Sequence, residues 1–287
     1  MKNLLFLASI FSFLIACGND SQEKKAAIQP PKETIKVYAL DGGELILNLG
    51  FFSTDSSYAM GNMRKSANTI LLIEHPKGRL IWDTGMPDAM ADLPLEERSQ
   101  DLGSFEIKTK LIDQLAEMGL TPDSIDYLAL SHTHFDHAGN AAYFANANWI
   151  VSQAELDFIF SDHPMAEAAQ PLVVPIKEAK KTFTDGVHDV FGDGKVMIHP
   201  FPGHTPGHGV LYIDFDSRQD ALFTGDLYHL KENRQYLRMP IFNVNFEQTK
   251  KSMEAFEQLV KEKDAEVFIQ HEAAHFEKLP RYPNYWN

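Results

Sequence analysis

The chain has one cysteine in 287 residues, so no disulfide can close within it and no metal site can be built from thiolates alone. Positive charge is also scarce: 26 Lys and Arg stand against 40 Asp and Glu, a formal net charge of −14. A surface of that sign repels phosphate backbones, which sets nucleic acid aside as a partner. No G-x-S-x-G turn occurs for a serine nucleophile, and Gly192-Asp193-Gly194-Lys195 lacks the spacing of a phosphate-binding loop. There is no fixed-period repeat and no low-complexity tract. What remains is 44% hydrophobic and 23% charged, the composition of a globular chain and not of a disordered or polytopic membrane one. The length is ample for one large domain with a buried core.

Residues 1–16 (MKNLLFLASIFSFLIA) place one lysine before an apolar run from Leu4 to Ala16. As a helix that run would reach about 20 Å, short of a ~30 Å hydrocarbon core, so it reads as a secretory signal segment. The only thiol, Cys17, follows Leu14-Ile15-Ala16, and the four residues together resemble the lipobox of bacterial lipoproteins. That resemblance implies a lipidated Cys17, a polar tether through residue 33 with Pro30-Pro31, and a domain over 34–287 held at the cell envelope. An ordinary cleavage site giving a soluble secreted or periplasmic protein is the alternative.

Within the domain, Thr69–Glu74 and Arg79–Trp82 read as strands joined by a turn at Pro76-Lys77-Gly78. Ile107, Leu111, Ile112, Leu115 and Met118 mark one face of a helix that Gly119 ends. Tyr127–Leu130 and Trp149–Val151 are short strands, and Ser152 with Glu155 has the spacing of a capping box. Lys195–Phe201, Val210–Phe215, Ala221–Thr224 and Glu266–Ile269 are further strands. A helix opening between Asn245 and Gln248 turns Met253, Phe256, Leu259 and Val260 inward. The alternation predicts a layered α/β protein.

One motif dominates. The Tyr127–Leu130 strand runs into Ser131-His132-Thr133-His134-Phe135-Asp136-His137, an H-x-H-x-D-H cluster. Imidazole and carboxylate donors suit zinc and related divalent ions. His132 and His134, two apart in an extended turn, can converge on one ion while Asp136 and His137 face a second. His204, Asp226 and His271 each follow a strand candidate, the place from which a rigid sheet presents ligands. They bring the set to seven. His271-Glu272-Ala273-Ala274-His275 also spells H-E-x-x-H, but a strand-like run precedes it where a zinc protease needs a helix.

Taken in order, Asp83-Thr84-Gly85, the 132–137 cluster, Pro202-Gly203-His204-Thr205-Pro206-Gly207-His208, Thr224-Gly225-Asp226 and His271 resemble the metallo-β-lactamase-fold hydrolases from about residue 35 onward. The resemblance implies an αββα sandwich and two divalent ions, zinc first among them. His132, His134 and His204 would hold one ion; Asp136, His137 and His271 the other; Asp226 would bridge. Asp83 would orient a ligand, and His208 would be structural. Ions so placed generate a hydroxide nucleophile near neutral pH. His134 stands where iron-binding redox members carry Glu.

Within that superfamily, Asp83–Pro87, His134–Asn140 and Phe144–Leu156 are most similar to the N-acyl-homoserine lactonases. This implies ring opening of quorum-signal lactones, with Asp136 counted among the catalytic residues as well as the ligands. Those enzymes often place a Tyr three residues after the bridging Asp. Here His229 holds that position and Tyr228 precedes it, so either is a candidate donor to the oxyanion. Phe51, Phe52, Tyr58, Met60 and Met63 form an apolar loop for an acyl chain, or else core packing or a homodimer contact. Three rivals stand beside the lactonase reading. A glyoxalase II-type thioesterase would want basic residues such as Lys278 and Arg281, an organophosphate hydrolase would share the metal set, and a non-catalytic envelope binding module would need no ligands at all. The lipoprotein reading has its own test: Cys17→Ser should leave the protein in the soluble fraction or with its signal uncleaved, and a variant that fractionates and matures like the wild type contradicts it.

Overall fold

Apolar residues along the central strands alternate between two destinations, and this alternation sets the layers. The computed structural model describes residues 34–287; the expected signal segment 1–16, Cys17 and the tether to residue 33 lie outside the described residues. The first sheet has eight strands: β1 (Lys36–Asn48), β2 (Met63–His75), β3 (Gly78–Trp82), β4 (Ser99–Gln100), β5 (Gly103–Glu106), β6 (Tyr127–Ala129), β7 (Asn148–Ser152) and β8 (Lys181–Thr184), in the order β4-β5-β1-β2-β3-β6-β7-β8. The second has five: β9 (His188–Asp189), β10 (Val196–Pro200), β11 (Gly209–Ile213), β12 (Ala221–Phe223) and β13 (Glu266–Phe268), in the order β13-β12-β11-β10-β9.

In β2, Leu71 and Ile73 face the second sheet, where they join Trp82, Leu211, Ile213, Phe223 and Phe268 in one buried core. Ile70 and Leu72 face the other way, against Leu111, Leu115, Phe158 and Ile159 of the outer helices. The second sheet repeats the pattern. Tyr212, Leu222 and Val267 turn outward onto Met253 and Phe256 of the long helix Phe246–Lys263. Strands covered on both faces read as near-continuous apolar runs, as β2 and β11 do. The result is the expected αββα sandwich. Asn245 caps the long helix as anticipated, its Oδ1 accepting from Gln248 N at 3.0 Å. Among the described residues no helix is long and apolar enough to cross a membrane.

Two elements differ from the sequence expectation. The long strand β1 has no counterpart among the expected strands. It pairs with β2 along its whole length, but the register shifts between Asp41 and Glu44, so Asp41-Gly42-Gly43-Glu44 is a bulge within a strand. Gly42 is required there: a Cβ would come to 2.9 Å from Asn68 O and 3.0 Å from Gly85 Cα. The helix expected from Ile107 begins only at Leu111. The Asp88 carboxylate accepts from Leu111 N at 2.8 Å and Ile112 N at 3.2 Å, satisfying its first free amides, and Ile107 packs elsewhere. Gly119 does end it, at φ +72°. Leu211 lies wholly buried between the sheets. Leu211→Ala should therefore lower stability by about 2–5 kcal/mol in urea unfolding, with an unchanged denaturant slope.

Candidate metal centre

β3 and β6 run parallel, and so do β12 and β13; β10 and β12 both run antiparallel to β11 and thus share a direction. The loops leaving the carboxyl ends of β3, β6, β10, β12 and β13 carry Asp83, His132–His137, His204, Asp226 and His271. After β6 the chain makes a single helical turn, Phe135–Ala138, that His134 opens and that sets Asp136 and His137 side by side.

The structure brings all seven expected ligands together, in two adjacent groups. His132, His134, His204 and Asp226 form one and Asp136, His137 and His271 the other, with the ligand atoms of each group within 4.8 Å of one another. His134 Nδ1 lies 2.8 Å from His132 Nε2 and 3.1 Å from His204 Nε2. Asp136 Oδ2 lies 3.6 Å from His137 Nε2 and 3.5 Å from His271 Nε2. Asp226 stands between them and divides its oxygens. Oδ2 is 3.6 Å from His132 Nε2 and 3.4 Å from His204 Nε2; Oδ1 is 3.2 Å from His137 Nε2 and 2.9 Å from His271 Nε2.

Proton accounting shows what this donor set is fitted for. His204 Nδ1 donates to Asn243 Oδ1 at 2.7 Å, His271 Nδ1 to the Ala67 carbonyl at 3.0 Å, and His137 Nδ1 to Asp83 Oδ2 at 3.0 Å. With each ring's proton held on Nδ1, the three Nε2 lone pairs face a buried carboxylate. His137 Nε2 and Asp226 Oδ1 have no hydrogen-bond partner. Lone pairs opposed in a buried site are costly unless a cation lies among them, so the residues fit divalent ions. Burial, then the neighbouring imidazoles, hold His132 well below the ordinary imidazole range. His137 is lifted well above it: burial opposes its charge, but Asp226, Asp136 and Asp83 outweigh burial. Asp226 is driven well below the carboxylate range despite burial, by His229, His137, His271 and His132.

Around the ligands lies a shell that the sequence showed only in part. Asp83 was expected to orient a ligand, and it does more. It is non-glycine at φ +59° and accepts from Ser131 N, Ser131 Oγ and Gln270 Nε2 as well as from His137. His208 is structural, as expected: its Nδ1 donates to Phe201 O at 3.1 Å and its Nε2 accepts from Asp226 N at 2.9 Å, which fixes the bridging residue's backbone. Asn243, Asn68 and Gln270 carry no sequence signal of their own. Glu155 had one, but it pointed elsewhere. Ser152 Oγ does accept from Glu155 N, yet the Glu155 carboxylate turns away from the cap to Thr133 and Gly207.

The two candidate substrate contacts separate. Tyr228 is fully buried in the helix-side core, its hydroxyl donating to Glu257 Oε1 at 3.1 Å, so it does not reach the site; this corrects its candidacy. His229 is buried at the site, Nε2 3.0 Å from Asp226 Oδ2, with neither ring nitrogen in a hydrogen bond. It lines a cleft of about 170 Å³ together with His134, Asp136, Asp226 and His271. The rest of the cleft's lining is apolar and includes Leu47, Phe52, Phe105, Phe135 and Phe242, the rings of Phe52 and Phe242 lying 5.1 and 5.6 Å from that of His229. Of the apolar loop, Phe52 takes part; Met60 and Met63 are 61% and 48% exposed and line no part of it.

The arrangement predicts a graded response to ligand loss. Elemental analysis of gently purified protein should find two divalent ions in the wild type and one in His271→Ala. Asp226→Ala should lose or weaken both, since it serves both groups. Wild-type protein that takes up neither zinc nor cobalt would contradict the assignment.

Residues 64–271 match the family model of the metallo-β-lactamase superfamily. The N-acyl homoserine lactonase AiiA of Bacillus thuringiensis subsp. kurstaki is 26% identical over 257 residues, covering 87% of this chain and 98% of its own. The N-acyl homoserine lactonase AttM of Rhizobium radiobacter is 27% identical over 226 residues, covering 74% and 85%. The crystal structure of a quorum-quenching N-acyl homoserine lactone hydrolase superposes with a TM-score of 0.75 at 23% identity, over 88% of this chain and 98% of that one, a likeness of fold. With its family model matched across most of the domain and the ligand groups assembled in one site, the chain belongs to the metallo-β-lactamase superfamily and is a metal-dependent hydrolase related to the N-acyl homoserine lactonases.

Proposed function

We propose that this hydrolase opens the ring of N-acyl homoserine lactones with two divalent ions, zinc being the expected metal. The observation that carries the reading is the cleft itself, whose lining joins aromatic side chains to the metal-ligand cluster, with Phe52 and Phe242 packed edge-on against His229. A substrate with one apolar arm and one hydrolysable carbonyl suits that division. The curated relatives that match nearly the whole domain bear lactonase names, which supports the same class.

Bound at the two groups, the ions would lower the pKa of water and polarise the substrate carbonyl. The chain's own residues do the rest. Phe52, Phe105, Phe135 and Phe242 cover the acyl chain and keep water from it. His229 offers a ring nitrogen toward the carbonyl oxygen, in the place the family often gives to a phenol. Asp136, at the cleft, takes one proton from the attacking water and gives it to the ring oxygen as the carbon–oxygen bond breaks, which leaves a hydroxyl and a carboxylic acid that loses its remaining proton to solvent. The basic pair a glutathione thioester would want is not at this site: neither Lys278 nor Arg281 lines the cleft. The proposed setting is the cell envelope, through a lipid on Cys17.

The test is a panel of lactones, thioesters and phosphotriesters presented to one metal-loaded preparation. Lactone kcat/KM should rise by up to about fourfold per added methylene, at ~0.8 kcal/mol each, until the cleft is full. Phe52→Ala should flatten that dependence. His229→Ala should lower kcat by about 10²-fold with little change in KM, the mark of a contact made in the transition state. Negligible lactone turnover beside efficient thioester or phosphotriester cleavage would refute the reading.

A further inference from the structure

Glu155 belongs to neither ligand group, yet it holds the chain between two histidines of one group and in the loop that carries the third. It stands in the first turn of the helix Gln153–Ile159 and is 3% exposed. One carboxylate oxygen accepts from Thr133 N at 2.8 Å and Thr133 Oγ1 at 2.7 Å; the other accepts from Gly207 N at 2.9 Å. Thr133 lies between His132 and His134, and Gly207 is in the loop that carries His204. The carboxylate is therefore a strap across the two loops that supply His132, His134 and His204. The approach is close as well as polar. A Cβ on Gly207 would fall 2.4 Å from Glu155 Cβ and 2.1 Å from Ser152 Oγ, so only glycine lets this loop press onto the helix turn.

The other group is held from a different side. His137 is oriented by Asp83, His271 by the Ala67 carbonyl, and the Asp136 main-chain carbonyl accepts from Asn68 Nδ2. None of these anchors involves Glu155.

We infer that Glu155 is a positioning residue for one ion alone, setting the affinity of the His132, His134 and His204 group and leaving the Asp136, His137 and His271 group as it is. The inference rests on the dinuclear reading above. Its physical basis is preorganisation: a ligand loop released from its strap must be ordered again by the ion, and losing such outer contacts costs about ten- to a hundredfold in metal affinity.

The experiment titrates the full chain with Co²⁺ against a competing chelator and follows the visible cobalt spectrum. In Glu155→Gln, an amide meets donors where a carboxylate accepted. One Co²⁺ should bind about ten- to a hundredfold more weakly while the other keeps its wild-type affinity. The weakened ion is identified by background: Glu155→Gln should weaken the single Co²⁺ retained by His271→Ala, and should change nothing further in His204→Ala. Thr133→Val removes one donor to the strap and should produce a smaller loss at the same ion; where Glu155→Gln does not fold, this variant decides. Equal weakening of both ions, weakening of neither, or an effect confined to the His204→Ala background overturns the inference. A wild-type chain that binds fewer than two Co²⁺ overturns the dinuclear reading and this inference with it.

Discussion

A single buried carboxylate, that of Asp226, governs the rest of the structure. Its Oδ1 faces the Nε2 atoms of His137 and His271, and its Oδ2 those of His132, His204 and His229. Such a centre is stable only with positive charge inside it, and it is useful only if the surrounding rings cannot turn away. The fold meets the second requirement with fixed partners on the far side of the rings and with an amide from Asp226 itself, held by His208. The first is left to divalent ions, which is why the chain's chemistry and its local stability cannot be treated separately.

Much of this was legible in the sequence because the ligands sit where a periodicity breaks. The runs ending at Trp82, Leu130, Phe201, Thr224 and Ile269 are each followed within three residues by a histidine or aspartate, and H-x-H-x-D-H compresses four of the seven ligands into six residues. The layers were legible for a related reason: Leu71 and Leu72 are equally apolar, and a strand with no polar face must be covered on both sides.

Less visible was whatever depends on a partner far along the chain. The helix at Leu111 starts where Asp88 reaches it, not where the apolar spacing starts. The bulge in β1 is fastened by Met86 N donating to Gly42 O at 2.9 Å where Gly85 passes close by, and a local reading of Asp-Gly-Gly-Glu favours a turn. Glu155 has the spacing of a cap residue and uses it for something else. Tyr228 and His229 are neighbours of similar chemistry, and only the backbone direction after Asp226 sends one into the core and the other into the cleft. Tertiary contact decides such pairs, and sequence alone cannot rank them.

The anchoring of His271 on the Ala67 carbonyl joins residues 204 positions apart. Closing so long a loop is slow relative to local folding, because its entropy must be spent before the contact repays it. The last ligand in chain order is thus docked by a strand from the first third, and the second metal group cannot exist until both sheets have met. The complete centre is in consequence a gauge of how the two sheets pack, since whatever parts them also parts His271 from Asp136 and His137.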